Sequence, residues 1–295
     1  MKLLKYIIIG LIIIIMIYSS IACTEKAANN QKTITLESIS KTFPKELLSE
    51  SKEIMARRLN SMNIKNFIIE ENTFQSQIVV ILNEKENIKA ISDVLNARGK
   101  ANFLETINRN EVLINLRKGL KSDCSQVLDS LLGITNDRTY LDVIVGQADA
   151  KDTFAIGKFF RAKAVKSLLP SSAKLCWSLT PNSSNKFELY AVSTESQGID
   201  ETALSDIHTS KDENYVGVSI TFKQKYHKAL ENLTNKNINK TIAFLIDGKV
   251  YSAPIVRSAI TSGKVEITGN FTEEDANSLV AIIGCGELPL DFQVK

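Results

Sequence analysis

The stretch at residues 215–289, YVGVSITFKQKYHKALENLTNKNINKTIAFLIDGKVYSAPIVRSAITSGKVEITGNFTEEDANSLVAIIGCGELP, decides the fold, because almost every step in it has a local physical reason. Val216, Val218, Ile220 and Phe222 alternate with small or polar residues, the pattern of a half-buried strand. Phe222, Tyr226, Leu230 and Leu233 then recur at helical spacing. An apolar run over 242–246 closes on Asp247-Gly248, a dipeptide that accepts the positive φ angles of a tight hairpin turn. The return strand is predicted over 249–253 and stops at Pro254, which has no amide hydrogen to give a ladder. Residues 265–268 read as a further strand ending at Gly269. Thr272 is placed to cap a helix whose first turn carries Glu273, Glu274 and Asp275, where acidic side chains suit the positive end of the helix dipole. That helix is expected to bury Ala276, Leu279, Val280 and Ile283 and to end at Gly284 or Gly286.

The order of these residues carries a resemblance. Thr234, Asn237, Lys240 and Ala243 precede Asp247-Gly248, then come Val250 and SAPIV at 252–256, Ile260 and Gly263, ITGNFTEEDANSL at 267–279, and GELP ending at Pro289. This series is similar to the first large periplasmic domain of SecD and of fused SecDF, accessory membrane subunits of the bacterial Sec preprotein translocase. The resemblance implies an α+β fold, a ferredoxin-like base subdomain carrying a larger inserted head. Asp247, Gly248, Pro254, Gly263, Gly269 and Pro289 are its structural motif residues.

Composition is ordinary for a folded protein of 295 residues, with 44% apolar and 23% charged residues. The net charge of +3, from 36 basic against 33 acidic residues, gives nucleic-acid binding no support. The exception lies at the start. Lys2 and Lys5, an Ile-rich run over 6–17 and Ser19-Ser20-Ile21-Ala22-Cys23 have the layout of an export signal. A small residue directly before a cysteine resembles the lipobox of bacterial lipoproteins, which implies signal cleavage after residue 22. On that resemblance Cys23 is expected to become the acylated first residue of the mature chain, anchored to membrane lipid by palmitate-type chains. Ser20 departs from the aliphatic residue usual three places before the cysteine. The other reading is an uncleaved anchor, short for a bilayer span. On either reading the remainder is extracytoplasmic, in the periplasm or at the cell surface, and held at a membrane. Residues 23–32 read as a polar tether.

Over 33–106 the apolar pattern runs strand, helix, two strands, helix, strand, the ferredoxin-like split βαβ order. The first strand uses Ile34, Leu36 and Ile39; the last uses Ala101, Phe103 and Leu104. Asn63 stands where relatives carry a glycine after an Arg-rich helix, and asparagine also accepts left-handed geometry. Alternation over 288–295 lets the chain end close this base. The head is expected over 107–287. Within it, Val112, Leu113, Leu116 and Leu120, then Val127, Leu128, Leu131 and Leu132, suggest two short helices with charged outer faces. Residues 108–150 carry the weakest part of the resemblance. From 152 to 192 it resumes, with a helix ending Leu-Leu-Pro, a strand holding Trp177, and a second strand at Leu189-Tyr190-Ala191. Trp177 is read as a core residue.

No enzyme signature stands out and none is expected. His208 and His227 sit in unrelated contexts, read as surface residues, and no metal spacing or cofactor motif is found. Asp247 is explained by its turn rather than by catalysis. Cys124, Cys176 and Cys285 are odd in number, which leaves a disulfide open; buried thiols are expected at Cys176 and Cys285.

In SecD and SecF, membrane-embedded charged residues couple proton flow to movement of the periplasmic domain. The only long apolar stretch here is N-terminal, so no proton-coupled activity is expected. The resemblance implies binding of unfolded or exported polypeptides and contact with Sec translocase subunits, in aid of protein export or envelope assembly. The alternatives are an envelope scaffold lipoprotein with a fixed partner and an undetected hydrolase or carbohydrate-binding protein. An exposed apolar groove would favour clients, a flat patch a fixed partner, and a polar pocket with paired carboxylates the third.

Overall fold

The computed structural model describes residues 31–83, 85–133, 143–195, 198–212, 215–268 and 272–295. Cys23, the expected export signal, most of the tether and Gly269 lie outside the described residues. The chain divides into two units, one running to Ala97 and taking in Leu288–Lys295, the other Arg98–Glu287.

In the first unit, Gln31–Ser38 (β1) buries Ile34, Leu36 and Ser38 in alternation. It starts two residues inside the expected tether. Lys45–Ser61 (α1) follows Pro44 and ends where Asn63 turns to a φ of 61°. Phe67–Asn72 (β2) and Gln77–Asn83 (β3) form a hairpin, and Ile88–Asn96 (α2) is capped by the Asn87 side chain, which accepts from the Ala90 amide. The sheet order is closing strand Phe292–Val294, β1, β3, β2, every neighbouring pair antiparallel. That is the ferredoxin-like arrangement. Leu36, Leu48, Met55, Leu59, Ile78 and Leu82 fill its core with Leu288, Leu290 and Phe292. Arg58 is fully buried and donates Nη1 to the carbonyls of Val94, at 2.9 Å, and Ala97. These lie at the end of α2, where carbonyls lack helical partners.

One expectation fails here. The strand predicted over 101–104 forms, as Ala101–Glu105 (β4), but in the second unit. It pairs antiparallel with Ile242–Ile246, and Phe103 stacks on Phe244 at 4.7 Å. The edge beside β1 goes instead to the closing strand, whose Phe292 enters the first core. The division therefore falls at 97/98, not at 106/107.

The second unit continues with Arg109–Gly119 (α3), Ser122–Leu131 (α4), Ile144–Ala148 (β5), Ala150–Arg161 (α5) and Lys163–Lys166 (α6). Next come Ala173–Trp177 (β6), Phe187–Ser193 (β7), Ile199–Asp200 (β8), Leu204–Lys211 (β9) and Val216–Phe222 (β10). His227–Lys236 (α7), Ile242–Ile246 (β11), Lys249–Ser252 (β12), Lys264–Thr268 (β13) and Glu273–Gly284 (α8) complete it, the closing strand being β14. Among the described residues three sheets result: β13-β10-β9, β12-β11-β4-β8 and β5-β7-β6. The core of the first two takes Val218, Ile220, Phe222, Phe103, Phe244, Leu230 and Leu279. Thr272 and Asp275 form a reciprocal capping box at the start of α8, which buries Ala276, Leu279, Ala281 and Ile283, while Val280 is only half-buried. Gly263 is required twice over: its φ is 69°, and an added Cβ would stand 2.1 Å from His227 Nε2.

Candidate functional site

Helices α4 and α5 enclose a groove of about 360 Å³. Cys124, Val127, Leu128 and Leu131 face it from α4, and Asp152, Ala155, Ile156 and Phe159 from α5. On both helices the four positions run i, i+3, i+4, i+7, so each contributes one stripe two turns long. Leu128 and Ile156 are buried and make the floor. Val127 and Leu131 stand 59% and 47% exposed on the wall, an unusual state for aliphatic side chains grouped together. Among the described residues Asp152 is the one charged group lining the groove.

The sequence explains this placement. Leu128 and Leu132 belong to the core with Val112, Leu116, Val145 and Phe160, which fixes how α4 faces inward. Val127 and Leu131 lie one position earlier on each turn, about 100° round the helix, and so fall outside that core. The end of α4 is held by Gln147, whose amide donates to the Leu132 carbonyl at 2.7 Å. Gly146 permits the approach, since an added Cβ would lie 2.5 Å from Leu132 Cβ and 2.9 Å from its carbonyl oxygen. The charged outer face expected for the second helix is replaced, on this flank, by apolar side chains. A legible signal was present: four apolar residues at 127, 128, 131 and 132 make a stripe wider than one core contact needs. Chemically the groove can desolvate apolar groups, and covering one Leu-sized side chain is worth about 1.5–3 kcal/mol.

Apart from Cys124, which lines the groove, the motif, His, Trp and Cys residues singled out from sequence lie elsewhere. Asp247 and Gly248 form the β11–β12 turn with φ of 51° and 78°. The Asp247 carboxylate also accepts from three amides, those of Arg98 at 2.9 Å, Gly99 at 3.0 Å and Lys100 at 2.9 Å, a clamp that sequence spacing did not reveal. Pro254 offers its carbonyl to Ile242. Pro289 sits between buried Leu288 and Leu290 in the first unit. His208 is exposed beside Asp206, at 2.8 Å. His227 is not a plain surface residue: its Nε2 donates to the Phe222 carbonyl at 3.0 Å, half-buried over Gly263. Trp177 is half-buried against the α3–α6 core, and Tyr190 donates to Glu188 at 2.6 Å. Burial first, then Glu188, holds that phenol far above its ordinary range. Cys176 is buried, which pushes its thiol up, Cys285 is half-buried and Cys124 is exposed. Among the described residues no group of three His, Cys, Asp or Glu is placed to hold a metal, and no helix is long and apolar enough to cross a membrane.

The model of the SecDF P1 head subdomain matches residues 179–290. The chain resembles the SecD periplasmic domain. SecD of Rickettsia conorii is 23% identical over 266 residues, 80% of this chain and 50% of that protein. SecD of Calditerrivibrio nitroreducens is 36% identical over 90 residues, 30% of this chain and 17% of its own length. The chain thus spans half or less of these relatives. A solved structure of SecDF, described as a membrane component that enhances protein export, covers 89% of this chain and 97% of its own at a TM-score of 0.50 and 20% identity. SecDF in its super-membrane-facing form covers 90% of this chain and 29% of that one at 0.53 and 18%. These neighbours show the fold. The α4–α5 groove lies outside the residues matched by the head model.

Proposed function

We propose that this chain is an extracytoplasmic, membrane-anchored SecD-like domain that binds apolar stretches of unfolded or exported polypeptide in the α4–α5 groove. It assists protein export or envelope assembly alongside Sec translocase subunits, and it does so by binding, with no catalytic step of its own. Acylated Cys23 is the anchor in this reading. The observation that carries it is the groove itself, walled by Val127, Leu131 and Phe159 and floored by Leu128 and Ile156. An apolar stripe on each of two facing helices suits a polypeptide segment with hydrophobic side chains at short intervals, which can take helical form in the groove. The relatives being translocase subunits makes an exported chain the natural occupant.

Photocrosslinking in cells tests this directly. A benzophenone amino acid at position 127 or 159 of the full acylated chain is expected to capture many unrelated exported polypeptides, whereas position 74, exposed far along the sequence in the first unit, captures few. A single stoichiometric envelope protein at position 127, with no exported clients, would replace the client reading with a fixed-partner scaffold.

A further inference from the structure

The opposite side of α5 has a different chemistry. Residues 153–187 contain no Asp or Glu and six basic residues, Lys158, Arg161, Lys163, Lys166, Lys174 and Lys186. These six exceed the whole chain's net charge of +3, so the remainder of the molecule is net acidic. Arg161, Lys163 and Lys166 surround a surface depression of about 420 Å³ with Ser167, Pro170 and Ser171. Lys158 and these three cations are exposed, and among the described residues none of them is in an ion pair.

One turn before Lys158 on α5 stands Phe154, 75% exposed. Phe154, Lys158 and Arg161 are spaced i, i+4, i+7 and share one face, turned away from the groove positions 152, 155, 156 and 159 at about 100° per residue. Gly157 leaves room for the Arg161 guanidinium along the helix, with Nη1 3.3 Å from where a Cβ would be. An exposed aromatic ring on the same helix face as exposed, unpaired cations can meet an anionic interface through both, the cations at the headgroups and the ring at the acyl boundary.

We infer that this face, Phe154 with Lys158, Arg161, Lys163 and Lys166, docks onto an anionic phospholipid surface, a headgroup phosphate entering the depression and Phe154 entering the acyl boundary. A soluble anion would engage the cations and leave Phe154 in water; a lipid surface satisfies both. The face is separate from the groove, so a client and a membrane can be held at once. Each cation near an anionic surface is worth about fivefold in partition, so neutralising three weakens the contact about a hundredfold.

The test uses the full-length acylated chain carrying Phe154→Trp, reconstituted into vesicles whose acyl chains are brominated, with the unsubstituted chain as the Trp177 background. In vesicles containing phosphatidylglycerol the added tryptophan emission is expected to shift blue and be quenched. In phosphatidylcholine alone, or at high salt, it is expected to stay unquenched, and adding Lys158→Gln, Arg161→Gln and Lys166→Gln is expected to remove the quenching. Equal quenching in both vesicle types, or none in either, overturns the inference. Protection of these lysines by inorganic phosphate or by an acidic protein, without quenching, would reassign the face to that ligand and also overturn it. Client capture at position 127 is read separately, so failure here leaves the groove reading standing.

Discussion

The ferredoxin-like unit and the α4–α5 face of the second unit treat their apolar side chains in opposite ways. In the former, Leu36, Met55, Leu59 and Ile78 have no exposed surface, and even the guanidinium of Arg58 is enclosed with carbonyl partners. Exposed Ile39, Ile68, Phe74 and Val294 occur there too, but on strands, a turn and a bend, none of them on a helix. In the latter, Val127 and Leu131 stand exposed side by side along a formed groove. The difference separates side chains that hold the fold from side chains whose burial awaits a partner. Substitutions can break or sharpen that separation.

The largest effect is expected inside the first unit. Arg58→Ala removes charged hydrogen bonds to the end of α2 and leaves a cavity, at a cost of about 3 kcal/mol, read as a lower urea midpoint. Gly146→Ala drives a methyl group into Leu132 and is expected to cost about 2 kcal/mol while also tilting α4, so client capture falls with stability. Thr272→Ala removes one half of the capping box on α8 and is expected to cost about 1 kcal/mol, with no change in capture. The groove pair Val127→Glu and Leu131→Glu is the contrast: these side chains are exposed, so melting is expected to move by no more than about 0.5 kcal/mol, yet capture is lost.

The smallest effect is electrostatic. The Glu37 carboxyl is lowered from 4.5 to about 2, chiefly by its hydrogen bond from Lys41 and next by that from Lys295. A carboxylate with a depressed folded value stabilises above its unfolded value, and that contribution is lost as pH falls through about 2. Glu37→Gln is therefore expected to lower Tm slightly at neutral pH and to converge with the unsubstituted chain as pH falls through about 2, so that the fall between the two values flattens, measured by thermal melts across the acid range.

What could be read in the sequence was mostly local. The β10 alternation, the Asp247-Gly248 turn, the left-handed residue at Asn63 and the start of α8 at Thr272 each depend on a few neighbouring residues. The features that escaped depend on pairing across distance. Ala101–Glu105 has an apolar pattern equally suited to two sheets, and its stacking on Phe244 decides the matter. The amides of Arg98, Gly99 and Lys100 reach Asp247 across nearly 150 positions, so its second role has no local signature. His227 lies over Gly263 for the same reason. The groove was half visible: the spacing of Val127 and Leu131 marks a helix, but only the packing of Leu128 and Leu132 shows that the first pair is left uncovered.

The most direct test of the account is a titration of the full-length acylated chain in vesicles with a reduced, carboxymethylated polypeptide that cannot fold, comparing it with Val127→Glu/Leu131→Glu. The account predicts saturable binding that weakens about tenfold or more in the double variant with an unchanged melting profile. Equal affinity in the two proteins would contradict it and remove the groove from the function.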